Sequence, residues 1–182
     1  IYTKDKEFKT EFENILKRAK SDIKGVSKIV ENIIDEIVED GNEALKRHIE
    51  KFDKWIVKSD DELLISQDSM KKAYETLDES LKKSLHIAYE RIKAYHEKQL
   101  PKSWIDFEEN GTILGQKVTA VDRAGLYIPG GKAAYPSSLL MNAIPAKVAG
   151  VKEIVVCTPT PNNEVNELLL AACHLCGVSK VY

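Results

Sequence analysis

The apolar positions near the start of the chain recur at the spacing of one helix face. The residues that carry this spacing are Val26, Ile29, Val30, Ile33, Ile34, Ile37 and Val38. Residues three and four apart share a helix face and glycine often follows a helix end, so the pattern predicts an amphipathic helix stopped by Gly41. A preceding stretch from about residue 5 to 21 and a following one from 42 to 52 are also predicted as helices. The N-terminus is therefore expected to be a helical layer.

A second helical pattern precedes Pro101. Its apolar stripe consists of Leu81, Leu85, Ala88, Tyr89, Ile92 and Tyr95. Proline cannot donate a backbone hydrogen bond, so Pro101 is expected to close this helix. Ahead of it, the short apolar run from Glu62 to Ile65 is predicted as a short strand.

The period of the pattern changes after Trp104. Residues 113–116 and 118–121 are predicted as a hairpin or as two separate short strands. The predicted order then runs strand 126–128, helix 137–149, strand 154–157, helix 164–176 and the opening of a strand at 180–182. Such alternation is typical of parallel strands joined by crossover helices, and it predicts an α/β fold.

Two joints of this α/β region repeat in sequence. Ala-Gly-Val-Lys precedes one predicted strand and Cys-Gly-Val-Ser the next, so that Gly150 and Gly177 each follow a predicted helix. Glycine at this place is a common helix stop. Pro145 lies inside the first helix, which leaves two alternatives: the helix is kinked there, or it begins nearer Ala143.

The strand-to-helix turn after residue 128 is the most informative local feature. It reads Tyr-Ile-Pro-Gly-Gly from Tyr127 to Gly131. Ligands of open α/β sheets bind at the carboxyl ends of strands, and Gly130 and Gly131 allow a ligand to approach the main chain closely. Ser137 and Ser138 are predicted to cap the following helix, with a contact to a cofactor phosphate as the weaker hypothesis. The common dinucleotide fingerprint, G-x-G-x-x-G, does not occur here.

Composition favours small-molecule chemistry. The 182 residues include 27 basic and 29 acidic side chains, for a formal net charge of −2. We therefore predict no nucleic-acid partner and no membrane partner, and the absence of a signal-like or spanning apolar run predicts a cytoplasmic protein. Three cysteines, an odd number in a chain able to bury a core, are expected to stay reduced.

The Cys173-His174-x-Cys176 segment resembles a zinc motif only superficially. No second ligand pair follows it, and Cys176 lies on the apolar face of a predicted helix, so we interpret it as a small buried hydrophobe. The remaining histidines have no partner at ligand or triad spacing, and for His96 packing or capping at a helix end is the preferred interpretation. The sequence therefore predicts neither a catalytic nor a metal-ligating residue in this chain.

Several ordered segments resemble those of histidinol dehydrogenases. They are I-K-A-Y-H-E-K-Q-L-P-K-S-W from Ile92, G-T-I-L-G-Q from Gly111, D-R-A-G-L-Y-I-P-G-G from Asp122, A-G-V-K-E-I-V-V-C-T-P from Ala149 and A-A-C-H-L-C-G-V from Ala171. Upstream of about Gly41 the likeness is only a helical pattern. The resemblance implies a mainly helical region over residues 1–110. Residues 111–182 would then be the first part of a Rossmann-like NAD-binding domain, which is incomplete at its C-terminal end.

The resemblance also implies a function. Such enzymes oxidise L-histidinol to L-histidine in two NAD-dependent steps with zinc, and are homodimers. In that family the tyrosine and proline of the Y-x-P-G-G segment contact NAD, so Tyr127 and Pro129 are the expected cofactor contacts. The alternative is that Tyr127 packs in the core and Pro129 merely ends a strand.

The catalytic groups and zinc ligands are expected beyond Tyr182, because the family's matching motifs lie later in its chain. The 182-residue fragment alone is therefore predicted to be inactive. Two other functions are open: a related dehydrogenase of another small alcohol, and a non-catalytic module for cofactor binding or dimerisation.

Overall fold

The computed structural model describes residues 2–130 and 135–182, apart from the side chains of residues 17–24. The helices are α1 (Phe8–Asp40), α2 (Asn42–Asp53), α3 (Gln67–Thr76), α4 (Glu79–Glu97), α5 (Pro136–Val148) and α6 (Glu167–Cys176), with 3₁₀ turns at Asp60–Leu63 and Pro161–Asn163. The strands are β1 (Trp104–Phe107), β2 (Ile113–Gln116), β3 (Arg123–Tyr127), β4 (Glu153–Cys157) and β5 (Lys180–Val181). In the described part of the chain, no helix is both long and apolar enough to span a bilayer.

The chain divides into two compact units, Ile1–Ile49 and Glu50–Tyr182. The predicted functional boundary between residues 110 and 111 is a different kind of division, and it stays a prediction. In the first unit the two predicted N-terminal helices are one continuous helix, α1, which runs through Gly25. The helix ends where the sequence predicts, since the amide of Gly41 donates to the carbonyl of Ile37 and Gly41 has a φ of +60°.

The second unit is built on a parallel sheet with the order β3-β4-β5. Helix α5 packs against β3 and β4, α6 packs against α5 and α3, and α4 packs against α5. The buried core lies in this arrangement and is formed mainly by apolar side chains of α5, α6 and the strands. The α/β fold with a parallel sheet after a helical N-terminal region is therefore confirmed.

Helix α5 begins at Pro136 and includes Pro145 in its interior, so the alternative start near Ala143 is wrong. Proline is tolerated at Pro136 because the first amides of a helix have no intrahelical acceptor. Both predicted glycine stops are confirmed, because Gly150 and Gly177 have φ values of +90° and +67°. Side chains rarely adopt such angles, whereas glycine does so at little cost.

Two predicted strands are wrong. Asp60–Leu63 forms a 3₁₀ turn, consistent with the turn-favouring Ser59, Asp60 and Asp61. Of the predicted strand Glu62–Ile65, only Ile65 pairs, through a single antiparallel bridge to Val181. Residues 118–121 form no strand. The hairpin partner of β2 is instead β1, and the two join through a turn in which Gly111 has a φ of +87°.

The outer edge of β5 is covered by the segment before α3. The amide of Ile65 donates to the carbonyl of Val181 at 2.9 Å. The side-chain amide of Gln67 donates to the carbonyls of Val178 at 3.1 Å and Ser179 at 2.7 Å. Helix α3 is thereby attached to the end of the sheet.

Candidate functional site

The predicted cofactor residues lie where β3 ends. Strand β3 runs parallel to β4 with Tyr127 opposite Cys157, and the amide of Ile128 donates to the carbonyl of Cys157 at 3.0 Å. Side chains alternate along a strand, so Ile128 is completely buried while Tyr127 is 69% exposed. The alternative in which the Tyr127 ring packs in the core is therefore wrong for this structure. Its contact with a cofactor stays a prediction, as does that of Pro129, which is also exposed.

Gly130 packs tightly against the end of β4. A Cβ atom on Gly130 would lie 2.7 Å from the carbonyl oxygen of Pro159 and 3.1 Å from Oγ1 of Thr158. Gly130 is not among the glycines with positive φ. Its role is thus to leave room for a close approach between two backbone segments, not to supply an unusual angle. Gly131 lies outside the described residues.

Thr158 carries the unexpected feature of this edge. Its side chain is only 9% exposed, and Oγ1 has no hydrogen-bond partner among the described residues. Its backbone amide is satisfied, since it donates to the carbonyl of Tyr182 at 2.9 Å. Sequence reasoning missed Thr158, although a hydroxyl residue directly after a buried parallel strand was a usable signal.

These features agree with the binding of a dinucleotide such as NAD. An exposed aromatic ring, a turn packed so closely on Pro159 that only glycine fits, and an unpaired buried hydroxyl lie together at the carboxyl edge of a parallel sheet. The carboxyl edge is where sheets of this kind bind nucleotides, and an aromatic face can pack on a cofactor ring. The residues present therefore fit the group that the sequence suggests.

The predicted serine cap of α5 is wrong. Tyr135 occupies the N-cap position and no side chain caps the helix. The amides of Ser138 and Leu139 both donate to the carbonyl of Tyr135, at 3.1 Å and 3.3 Å. Proline at the first helical position displaces the serines into the helix, beyond the capping position. A phosphate contact by Ser137 or Ser138 stays a prediction.

Cys173 and Cys176 are buried, as predicted for Cys176. Burial raises the pKa of each thiol to about 12. Metals bind the thiolate, so these two groups are poorly suited as zinc ligands. In the part of the chain that the structure describes, no three His, Cys, Asp or Glu residues are grouped as a metal site. The described residues thus offer no set of side chains that fits zinc, and no step is assigned through it.

The histidines of the second unit have structural partners. His174 lies beside the ring of Tyr74 with centroids 5.2 Å apart, and the Tyr74 hydroxyl is hydrogen-bonded to Nε2 of His86 at 2.7 Å. Nδ1 of His96 is hydrogen-bonded to Gln99 at 2.6 Å, in line with the predicted role at a helix end. The Tyr74 contacts join α3 to α4 and α6, whereas the bond of His96 is local to the end of α4.

The opposite, amino edge of the sheet carries an ion-pair network. Glu153 at the start of β4 accepts a hydrogen bond from Nε of Arg123 at 2.6 Å, and Nζ of Lys180 lies 3.4 Å from its other oxygen. The hydrogen bond from Arg123 and the nearby Lys180 hold the pKa of Glu153 below its ordinary value, although partial burial opposes them. One carboxylate therefore links the amino ends of all three strands.

A shallow groove lies on hairpin β1–β2 and is lined by residues such as Trp104, Ile113 and Leu114. Its lining is mainly apolar and solvent-exposed and includes no acid, histidine or cysteine. We therefore locate the candidate site at the carboxyl edge of the sheet.

Comparison with known proteins gives a consistent result. The family model described as histidinol dehydrogenase matches residues 16–182. The chain is 68% identical over 180 residues to the histidinol dehydrogenase of Sulfurimonas denitrificans, covering 99% of this chain and 42% of that protein. It is 61% identical over 176 residues to that of Helicobacter hepaticus, covering 97% of this chain and 40% of that protein.

A solved structure is similar as well. The crystal structure of histidinol dehydrogenase from Elizabethkingia anophelis matches with a TM-score of 0.78 and 28% identity, over 86% of this chain and 36% of that one. The chain thus spans 42% or less of the length of each of these three relatives.

Proposed function

The chain belongs to the histidinol dehydrogenase family, and on that premise we propose that it is the N-terminal part of an NAD-dependent enzyme that oxidises L-histidinol to L-histidine. Its contribution is one wall of the cofactor site. The observation that carries this proposal is the exposed ring of Tyr127 at the carboxyl edge of the parallel sheet, next to the tightly packed Pro129–Gly130 turn.

Each residue of this wall has a defined part in binding. The exposed Tyr127 ring offers an apolar face for a planar cofactor ring. Pro129 restricts the backbone, and Gly130 lets the turn pack closely on Thr158 and Pro159, which fixes the position of the turn beside the ring. When bound, NAD would supply the hydride acceptor for each of the two oxidations.

The remaining parts of the reaction are proposed for the rest of the full-length protein. They are the zinc ligands, the proton-transferring base and most of the L-histidinol pocket. A homodimeric assembly is proposed on the same family resemblance. Without those groups the 182-residue chain should not turn over histidinol, since the loss of a single acid or base alone costs about 10²–10⁴ in rate.

Replacement of Tyr127 tests the cofactor wall. In the full-length protein, Tyr127→Ala should raise the NAD dissociation constant about fivefold, because one aromatic contact contributes on the order of 1 kcal/mol. The melting temperature should change little, since the ring is 69% exposed. Isothermal titration calorimetry and thermal denaturation of the same preparation measure both quantities.

Tyr127→Phe is the matched control, because it keeps the ring and removes only the hydroxyl. We expect it to bind NAD nearly as the unchanged protein does. NAD affinity that is the same in Tyr127→Ala and in the unchanged protein would mean that this turn is only scaffold.

A further inference from the structure

The unpaired hydroxyl of Thr158 lies against the proposed cofactor turn. Its Oγ1 is 3.1 Å from the position that a Cβ on Gly130 would occupy, and it is hidden from solvent without a partner in the described part of the chain. Buried polar groups in native proteins are nearly always hydrogen-bonded, so an unpaired one calls for a physical reason. The neighbouring backbone has one donor, the amide of Gly130, and two acceptors, the carbonyls of Pro129 and Gly130.

An unpaired buried hydroxyl destabilises the state in which it is found. A second state in which Oγ1 gains a hydrogen bond is favoured by the energy of that bond. The atom is covered and the Gly130 turn lies beside it, so a small shift of this turn can supply the partner. A ligand that packs against the turn can stabilise the shifted state only if it binds that state more tightly than the other.

We propose that Thr158 is a positioning residue for the dinucleotide: the Pro129–Gly130 backbone pairs with its hydroxyl when the cofactor packs on the turn. This inference rests on the proposed NAD site and adds a residue to it. The hydrogen bond is made in the bound state and missing in the free state. Its energy therefore contributes to affinity and not to the stability of the free protein.

Thr158→Val in the full-length protein tests the inference, because valine keeps the shape and removes the hydroxyl. The NAD dissociation constant should rise about three- to tenfold, the range expected for one hydrogen bond. The melting temperature of the cofactor-free protein should stay the same or rise, because an unpaired polar group has been removed. A purely structural threonine would not produce this combination.

Two further variants sharpen the test. Thr158→Ser keeps the hydroxyl and should bind NAD as the unchanged protein does. Thr160→Val removes a hydroxyl from an equally buried threonine of the same loop, one without an unpaired buried atom, and should leave NAD affinity unchanged.

The outcomes separate this inference from the proposed function. If the unchanged protein binds NAD and Thr158→Val binds it equally well, the role of Thr158 is overturned and the cofactor site stands. If Thr158→Ser loses affinity as much as Thr158→Val does, the hydroxyl is not the cause and the inference is also overturned. If the unchanged full-length protein does not bind NAD at all, both proposals fail together.

Discussion

The two ends of the parallel sheet differ in whether their polar side chains have partners. At the amino edge Glu153 is paired with Arg123 and Lys180, so that charged groups hold the three strands together. At the carboxyl edge the ring of Tyr127 is exposed, the hydroxyl of Thr158 is unpaired and the thiol of Cys157 is free and exposed. The same strands therefore end in satisfied groups on one side and in unsatisfied or exposed groups on the other.

The difference indicates which end of the sheet contributes to the stability of the fold and which end is available for ligand binding. Groups that are already paired gain little from a ligand, whereas unpaired groups gain a partner when one binds. The amino edge should therefore respond to substitution through stability, and the carboxyl edge through cofactor affinity.

The largest expected effect is that of Gly130→Ala at the carboxyl edge. The new Cβ would lie 2.7 Å from the carbonyl oxygen of Pro159, so the turn has to move. We expect the NAD dissociation constant to rise at least about tenfold, which corresponds to a loss of about 1.4 kcal/mol. Titration calorimetry on the full-length protein measures this change.

Gly25→Ala is the control for exchanging a glycine, because nothing lies within 4 Å of its added Cβ. It should leave NAD affinity unchanged and slightly favour helix α1, since alanine is the better helix former. Unaltered NAD binding in Gly130→Ala would contradict the assignment of the turn to the cofactor.

A smaller effect is expected for the reactivity of Cys157. Its thiol is exposed and lies opposite Tyr127 in the strand register, whereas burial raises the pKa of Cys173 and Cys176 to about 12. Iodoacetamide should therefore modify Cys157 in the native protein and spare the other two. NAD at ten times its dissociation constant should slow this reaction up to about tenfold, by mass action.

Peptide mapping by mass spectrometry locates the modified cysteine and gives its rate. Protection of Cys157 by NAD, with no protection by an equal concentration of free nicotinamide riboside, would support a dinucleotide at this edge. Equal labelling with and without NAD would place the cofactor elsewhere.

The smallest effect is expected at the amino edge, where it should appear as a dependence of stability on pH. The pKa of Glu153 is lower in the folded protein, chiefly because of its hydrogen bond from Arg123. A carboxylate with a lowered folded pKa stabilises the fold above its unfolded pKa, and this contribution is lost as the pH falls through the folded value. The loss should thus begin below about pH 4.3, the ordinary pKa of a glutamate.

Urea denaturation across this pH range measures the contribution. Glu153→Gln should be less stable than the unchanged protein at neutral pH, and the difference should shrink on acidification. NAD affinity at neutral pH should be the same in both proteins. A change in NAD affinity would contradict the separation of the two edges.

The sequence predicted the α/β region well because its local signals agree with its packing. Short apolar runs became β3 and β4, and Gly150 and Gly177 stop the helices at the expected places. Ile154 and Val156 are both buried, which a run of apolar residues covered by helices requires. The apolar pattern of the sequence and the burial in the structure thus indicate the same strands in this region.

Elsewhere, tertiary contacts or neighbouring residues overrode the local signal. The helix predicted over about 5–21 and the one predicted from Val26 are a single helix, α1, which passes through Gly25, because one glycine costs only about 1 kcal/mol in a helix. Helix α3 had no strong apolar stripe and was missed, although Ser66 caps it by accepting a hydrogen bond from the amide of Ser69. The Asn110-Gly111 pair, a strong hairpin signal, was also overlooked, and β2 was therefore given the wrong partner.

The candidate site was predicted only in part, since one sequence reveals residue types but not which polar atoms lack partners. Tyr127 and Pro129 were found through family resemblance and the structure adds the exposure of both. Thr158 was missed: its place directly after a buried strand was a signal, but only the structure shows that its Oγ1 has no hydrogen-bond partner among the described residues. The serines at 137 and 138 were misjudged because helix α5 begins one residue earlier, at Pro136.

The segment before α3 also controls how the sheet can be extended. Because Ile65 occupies the outer side of β5, a new strand cannot pair at Val181 without displacing it. Within the described residues, the outer side of β3 has no strand beside it. A strand added to this sheet, from the same polypeptide or another, would therefore pair with β3, the strand that ends in Tyr127 and the proposed cofactor contact.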